Sequence, residues 1–191
     1  MEMGVTVSAS LFVPAPGRRL LVVGGCGGMG RALVQAALDL GLSVAVLDRA
    51  QALALHPVPQ GVWSCACDVS QEDSVLAAFE ALRSHWDDFD GLVNLAGYTG
   101  ERVPVDQMKL QDWDDIVHTD LRGMFLVARA SAPFLRSALA AGRSPSAVLI
   151  SSTFGVRVPH VGYGPYAASK AGVINLVVGS TSTTYDATSR S

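Results

Sequence analysis

The chain has 191 residues, of which 49% are apolar and 16% are charged, and its formal net charge is -3. This length suits one domain with a substantial core and is short for two. The small negative charge does not indicate the basic surface that nucleic-acid binding requires. No apolar run approaches the roughly 20 residues that span a bilayer. Three cysteines and four scattered histidines match neither a disulfide framework nor a usual zinc site. We therefore expect reduced thiols, a cytoplasmic protein and no metal.

Composition divides the chain into three segments. Residues 1–18 lack the layout of a secretory signal and end in a Pro- and Gly-containing stretch, which predicts a flexible leader. Residues 19–178 alternate short apolar runs with longer amphipathic stretches, which predicts a single folded domain. Residues 179–191 are mostly Ser and Thr without apolar periodicity, which predicts a disordered tail.

Five strands and intervening helices are predicted in the middle segment. The predicted strands cover 20–23, 43–47, 62–67, 91–95 and 147–151. The predicted helices end at Gly41, run from a Ser70 cap to about Trp86, from about Asp112 to Ala141, and from Tyr163 to Val178. Near-continuous apolar strands that alternate with helices are typical of a parallel sheet covered on both faces. An α/β fold with a Rossmann-like, doubly wound sheet is the leading topology.

A glycine-rich loop lies between the first predicted strand and the first helix, with the sequence Val23-Gly24-Gly25-Cys26-Gly27-Gly28-Met29-Gly30. Glycines there allow the backbone to turn tightly and to approach a pyrophosphate, whose charge a helix N-terminus favours. A flexible turn is the alternative, but the position between strand and helix favours a dinucleotide loop. Cys26 is either a reactive thiol of lowered pKa or a small residue that fills the turn.

Two aspartates follow predicted strands. Asp48 ends the second strand, where a carboxylate accepts the ribose hydroxyls of an adenosine and repels a 2′-phosphate. This position favours NAD over NADP, although adjacent Arg49 would soften the preference, and a surface Asp at a strand end is the alternative. Asp68, after the third strand, either reaches the adenine or flanks the following helix.

A Tyr/Lys pair occurs in Tyr166-Ala167-Ala168-Ser169-Lys170. Positions i and i+4 of a helix share a face, so the phenol and the ammonium are neighbours. A nearby cation stabilises a phenolate, which allows a tyrosine to donate and to accept a proton.

Together these motifs resemble the short-chain dehydrogenase/reductase family over about residues 19–178. The glycine loop, the two aspartates, Asn94-Leu95-Ala96-Gly97, Ile150-Ser151-Ser152 and the Tyr/Lys pair occur in the family's order. The resemblance implies an NAD-dependent oxidoreductase that interconverts a secondary alcohol and a ketone. It implies cofactor contacts at Gly24, Gly28, Met29, Gly30, Asp48, Asp68, Val69, Asn94, Ala96, Gly97, Tyr166 and Lys170.

The resemblance also implies catalytic roles. Tyr166 would be the general acid/base, and Lys170 would bind the nicotinamide ribose and stabilise the tyrosinate. Ser152 would donate a hydrogen bond to the substrate oxygen, with Ser151 as the alternative. The family's further catalytic Asn is Asp120 here. In the family this Asn helps to hold a water that leads from the lysine to solvent. Because its backbone carbonyl supplies part of that contact, we expect Asp120 to fill the same role.

Three questions of function stay open. Family members continue with two further strands and a substrate-covering loop, which are not readable after Val178. We therefore expect a truncated chain, and an inactive protein that binds cofactor and dimerises is the alternative function. A nucleotide-sugar epimerase of the wider superfamily would share the Tyr/Lys pair. By resemblance, apolar positions on the last two predicted helices imply a homodimer or homotetramer, and ordinary packing on the sheet is the alternative.

Overall fold

Five short strands pair side by side in parallel, in the order β3-β2-β1-β4-β5. They are β1 (Arg19–Val23), β2 (Ser43–Asp48), β3 (Trp63–Ala66), β4 (Gly91–Asn94) and β5 (Ser146–Leu149). This computed structural model describes residues 14–157 and 160–180. Residues 1–13 of the predicted leader and 181–191 of the predicted tail lie outside the described residues. The predicted α/β fold with a Rossmann-like parallel sheet is confirmed.

Among the described residues, six α-helices connect and follow the strands: α1 (Gly28–Asp39), α2 (Ala50–Leu55), α3 (Glu72–Arg83), α4 (Leu110–Val117), α5 (Gly123–Ala140) and α6 (Gly164–Ser180). A π-helical segment, His118–Arg122, joins α4 to α5, so the helix predicted from Asp112 to Ala141 is one rod with a widened turn. None of the described helices is long and apolar enough to cross a membrane.

The predicted Ser70 cap is wrong. Helix α3 begins at Glu72, with Gln71 before it as the capping position. The Ser70 hydroxyl instead donates to Asp68 Oδ1 at 2.7 Å, and its backbone amide donates to the same oxygen at 3.0 Å. Asp68 therefore holds Ser70 in a short turn ahead of the helix. Because the Ser70 side chain is bonded to this carboxylate, it does not cap α3.

The central strands β1 and β2 are buried on both faces, as is typical of a parallel sheet, whereas the edge strand β5 is largely exposed. Leu21 and Val23 of β1 pack on one face in a core shared with α3 and α5. Val22 points to the other face and packs in a second core with α1. All three side chains are at most 1% exposed, and each contributes roughly 1.5–3 kcal/mol relative to an exposed position. Strand β1 is therefore the centre of the fold.

Charged side chains tie three strands together at the amino edge of the sheet. Asp90 Oδ2 accepts a hydrogen bond from the Arg19 amide at 2.9 Å, and its Oδ1 lies 3.1 Å from Arg143 and 3.2 Å from Arg18. Arg143 also pairs with Asp88. Burial opposes ionisation of Asp90, but the Arg19 amide, Arg143 and Arg18 together hold the pKa of Asp90 below its usual value. The network links the starts of β1, β4 and β5.

Asp90→Asn tests this network. A carboxyl group whose pKa is lowered on folding stabilises the fold above its unfolded pKa, and that contribution disappears as the pH falls through the folded pKa. We expect the substitution to lower the free energy of unfolding by about 1–3 kcal/mol at neutral pH. The difference from the unsubstituted chain should shrink as the pH falls below about 4. Urea unfolding followed by circular dichroism measures both effects.

Asp87→Asn is the control, because Asp87 is an exposed neighbour in the same turn. We expect it to change the free energy of unfolding by less than about 0.5 kcal/mol. An Asp90→Asn deficit that stays constant down to pH values of about 3 would contradict an ionised, paired Asp90.

Candidate functional site

The residues predicted for cofactor binding and catalysis lie at or just beyond the carboxyl edge of the sheet, or on the helices that pack there. This follows from the topology, since parallel strands all end at the same edge. The strand order runs outward from β1 through β2 in one direction and from β4 to β5 in the other. A crevice therefore opens between the ends of β1 and β4, and ligands of doubly wound sheets bind at such a switch point.

The glycine loop after β1 is tightly packed inside and open outside. Gly24 has a φ of +80°, and a Cβ there would lie 2.9 Å from the Ala96 amide nitrogen across the crevice. A Cβ on Gly30 would lie 2.2 Å from the Gly24 carbonyl oxygen. At Gly28, by contrast, a Cβ would meet no atom of the described chain within 4 Å. Met29 is 67% exposed beside it, so the open side of the loop faces the space around the start of α1.

Asp48 braces this loop. Its Oδ2 accepts a hydrogen bond from the Cys26 amide at 2.8 Å, and its Oδ1 accepts one from the Arg49 amide at 2.8 Å. Burial and then the neighbouring Asp48 raise the pKa of the Cys26 thiol. The hypothesis of a reactive Cys26 with lowered pKa is therefore wrong, and the buried side chain fills the turn.

Asp68 and Val69 follow β3 at the same edge. Asp68 holds Ser70 in the turn described above, so the structure gives Asp68 a place flanking α3, and contact with an adenine stays a prediction. Val69 is 5% exposed and belongs to the core on the α5 face. A Cβ on Gly123 would lie 2.9 Å from Val69 Cγ2, so the Val69 side chain packs against the start of α5.

Asn94, Ala96 and Gly97 form the loop after β4. Asn94 is fully buried, and its Oδ1 accepts a hydrogen bond from the Ala96 amide at 3.1 Å. The Asn94 Nδ2 donor has no hydrogen-bond partner within the described part of the chain. Gly97 has a φ of +155°, and a Cβ there would lie 2.8 Å from Asp120 Oδ2. The loop thus passes directly over a buried carboxylate.

Asp120 and Lys170 form a buried ion pair. Asp120 lies in the π-helical segment with no exposed surface, and Lys170 is 4% exposed. Asp120 Oδ2 lies 3.2 Å from Lys170 Nζ, and Asp120 Oδ1 accepts a hydrogen bond from the Tyr98 amide at 2.9 Å. Lys170 Nζ also donates to the Ile150 carbonyl at 3.2 Å. Burial raises the pKa of Asp120, and the Lys170 ammonium and the Tyr98 amide only partly oppose that shift.

Tyr166 stands beside this pair, one turn before Lys170 on α6. Lys170 Nζ lies 5.5 Å from the centroid of the Tyr166 ring. The hydroxyls of the two neighbouring serines differ in their partners. Ser151 Oγ donates to the Lys170 carbonyl at 2.7 Å, whereas Ser152 Oγ accepts from the Phe154 amide at 3.2 Å. The Ser152 hydroxyl proton therefore stays available for another acceptor.

Three contributors to this arrangement are not predictable from the side-chain pattern of the sequence. The Tyr98 amide and the Ile150 carbonyl are backbone groups, whose roles a side-chain pattern does not report. The π-helical turn that places Asp120 contains one apolar residue, Leu121, so apolar spacing does not report its greater width. Within the described ranges, no group of three or more His, Cys, Asp or Glu side chains is placed to hold a metal ion.

Two comparisons link this architecture to known proteins. The sequence pattern of the short chain dehydrogenase family matches residues 18–184. The chain is 34% identical over 164 residues to the 3-oxoacyl-[acyl-carrier-protein] reductase FabG of Staphylococcus aureus strain Mu50, a match that covers 82% of this chain and 64% of the reductase. The chain thus spans less than two thirds of that relative.

Solved structures with the same fold include two reductases. The 3-ketoacyl-(acyl-carrier-protein) reductase from Brucella melitensis complexed with NADH aligns with a TM-score of 0.77 and 26% identity, over 84% of this chain and 67% of that one. A variant of the actinorhodin polyketide ketoreductase with NADPH aligns with a TM-score of 0.72 and 27% identity, over 84% and 62%. The family resemblance predicted from the motifs is confirmed, and the chain belongs to the short-chain dehydrogenase/reductase family.

Proposed function

We propose that the chain is an NAD(P)-dependent oxidoreductase that interconverts a secondary alcohol and a ketone, with Tyr166 as the general acid/base. The observation that carries the proposal is the buried Lys170 ammonium fixed 5.5 Å from the Tyr166 ring. A fixed cation stabilises the tyrosinate, the form that accepts a proton from an alcohol. The relative from Staphylococcus aureus is named for reduction of a 3-oxoacyl group, which is itself a ketone.

The residues present fit a nicotinamide dinucleotide. The glycine loop leaves no room for side chains at Gly24 and Gly30, which face backbone atoms of the protein. At Gly28 it is open, so a pyrophosphate can approach the backbone at the start of α1. The first turn of α1 contains no acidic residue that would repel phosphate. The buried, unpartnered Asn94 Nδ2 supplies a donor beside the crevice. When bound, the dinucleotide supplies or accepts the hydride.

The protein's own residues manage the proton and the substrate oxygen. In the direction of reduction, the Tyr166 hydroxyl donates its proton to the carbonyl oxygen, and Lys170 stabilises the tyrosinate that remains. Ser152 donates a hydrogen bond to the same oxygen, because its proton is not used within the described protein, whereas Ser151 is committed to the Lys170 carbonyl. Oxidation of the alcohol reverses each step. Asp120 and the Ile150 carbonyl hold Lys170 in place.

Asp48 supports a preference for NAD over NADP. Its carboxylate is fixed by two backbone amides at the end of β2, so a 2′-phosphate placed there meets a held negative charge. Adjacent Arg49 would soften this preference. The similar structures named above hold NADH in one case and NADPH in the other, which makes the local charge the deciding argument. Assembly as a homodimer or homotetramer and a cytoplasmic location stay predictions.

Tyr166→Phe tests the proposed reaction. We expect it to lower NADH-dependent ketone reduction by at least about 100-fold, because the proton donor to the carbonyl oxygen is removed. Binding of NADH, followed by the fluorescence of the bound nicotinamide, should stay within about threefold, since the ring and Lys170 remain. NADH binding without turnover in the unsubstituted chain would instead favour the alternative function, a cofactor-binding protein that does not catalyse.

Asp48→Asn tests cofactor choice. The amide oxygen of Asn still accepts from the Cys26 amide, whereas the bond from the Arg49 amide is lost, so the substitution removes the charge and keeps the contact with the glycine loop. We expect the ratio of the dissociation constants for NADPH and NADH to fall at least about tenfold, because the repulsion of the 2′-phosphate is lost. Asp39→Asn, at an exposed aspartate that ends α1, is the matched control and should leave the ratio unchanged. An equal ratio in both variants would remove Asp48 from discrimination.

Asp120→Asn tests the buried ion pair. An ionised Asp120 offsets part of the Lys170 charge, so its removal should favour the tyrosinate and move the pH profile of alcohol oxidation to lower pH by about one unit. Activity at the optimum should stay within about tenfold. Because the pKa of Asp120 is raised on folding, its contribution to stability is lost as the pH rises through the folded pKa. The stability of the unsubstituted chain relative to Asp120→Asn should therefore fall as the pH rises. An unchanged pH profile would exclude Asp120 from the mechanism.

A further inference from the structure

Three aromatic rings meet where β5 leads into α6. The centroid of the Phe154 ring lies 5.4 Å from that of Tyr163, with the rings perpendicular, and 5.8 Å from that of Tyr166, at 69°. Both contacts have the edge-to-face geometry that aromatic pairs favour. Each ring is half-buried, so part of its apolar surface stays accessible. Phe154 therefore joins the proposed general acid/base to a second tyrosine.

The backbone fixes the position of Phe154. The Phe154 amide donates to Ser152 Oγ, the proposed donor to the substrate oxygen. The short 3₁₀ turn Thr153–Gly155 packs directly on α6, since a Cβ on Gly155 would lie 2.7 Å from the Lys170 carbonyl carbon and oxygen. No side chain larger than hydrogen fits at that contact. The turn that carries Phe154 is thus fixed against α6, with the Phe154 amide bonded to Ser152 and the Phe154 ring against Tyr166.

A second loop fastens Tyr163 from the other side. In the loop between β4 and α4, the Val103 amide donates to the Gly162 carbonyl at 3.0 Å, and Arg102 Nε donates to the Val161 carbonyl at 2.8 Å. Gly162 has a φ of +94°, and a Cβ there would lie 2.8 Å from Arg102 Cγ. Gly162, the residue before Tyr163, therefore accepts one hydrogen bond and packs closely against Arg102, and the preceding Val161 accepts a second hydrogen bond. The backbone is therefore fixed on both sides of the contact between Phe154 and Tyr163.

We propose that Phe154, together with Tyr163, forms an aromatic wall that selects ketones and alcohols carrying an uncharged ring as the substituent next to the reacting carbon. The proposal deepens the proposed function and rests on it. A substrate oxygen held by Ser152 and Tyr166 brings its neighbouring substituent close to the Phe154 ring, which packs against Tyr166 and whose backbone amide is bonded to Ser152. The two rings bind an apolar group by removing its surface from water and by edge-to-face contact. Phe154 is accordingly a specificity-determining residue.

Substitution of Phe154 tests the wall with three neutral ketones that differ in their substituents: propanone, cyclohexanone and acetophenone. We expect kcat/KM to rise in that order for the unsubstituted chain. Phe154→Ala should lower the ratio of kcat/KM for acetophenone over propanone by about tenfold, chiefly through the KM for acetophenone. Phe154→Leu keeps an apolar side chain without the ring, and its ratio should fall between the other two. This second variant preserves the test if the alanine variant does not fold.

Phe125→Ala is the matched control, because Phe125 is an exposed phenylalanine on α5. It should leave the ratio unchanged. An unchanged ratio in both Phe154 variants would overturn the proposal. An equal fall in kcat for all three ketones would also overturn it, since Phe154 would then only position Tyr166.

A binding measurement separates failure of the wall from failure of the proposed function. The ¹⁹F signal of 4-fluoroacetophenone is followed with protein saturated by NAD⁺, a state that does not reduce the ketone. We expect broadening with the unsubstituted chain and at least about tenfold weaker binding with Phe154→Ala. Binding that depends on Phe154 without turnover of any ketone would refute the proposed reaction and support the wall. Turnover and binding that are both insensitive to Phe154 would refute the wall.

Discussion

The parallel pairing of β1 with both β2 and β4 is the constraint on which the site depends. Because these strands run in one direction, the loops that follow them meet at one edge, and the change of direction at β1 and β4 leaves a crevice between them. Gly24 and the Ala96 amide approach so closely there that the loops admit no side chain at Gly24. A slip of one residue in register would move Leu21 into the core that now holds Val22, and Val22 into the core that now holds Leu21. The packing of β1 therefore also holds the loops in place.

A buried charge organises the other half of the site. Taking a carboxylate and an ammonium out of water costs several kcal/mol each unless they pair and form further hydrogen bonds. Asp120 and Lys170 offset part of this cost by pairing and through additional partners, the Tyr98 amide for the carboxylate and the Ile150 carbonyl for the ammonium. The lysine beside Tyr166 is therefore positioned from three elements: its own helix, the π-helical segment, and the end of β5. An Asn at position 120 would keep the shape of this arrangement without its negative charge.

Sequence patterns were sufficient where side chains carry the information. The apolar runs located all five strands, and the i, i+4 spacing placed Tyr166 and Lys170 on neighbouring positions of one helix. The patterns failed at short range, where Asp68 and the helix amides compete for Ser70. They also missed α2, because a helix of six residues is too short to show an apolar period. The bracing of Asp48 by the Cys26 amide and the contact of Phe154 with Tyr166 depend on the fold, because their partners are distant or lie across a turn.

The π-helical segment His118–Arg122 makes the length of the α4–α5 rod as important as its composition. Each residue of an α-helix turns the chain by about 100°, so the wider turn changes the rotation of α5 relative to α4. Removing one residue there would restore a regular helix and rotate either Asp120 or the buried face that carries Met124 and Val127 out of place. Relatives that keep both Asp120 and this core face should therefore tolerate substitutions along the rod far more readily than insertions or deletions within it.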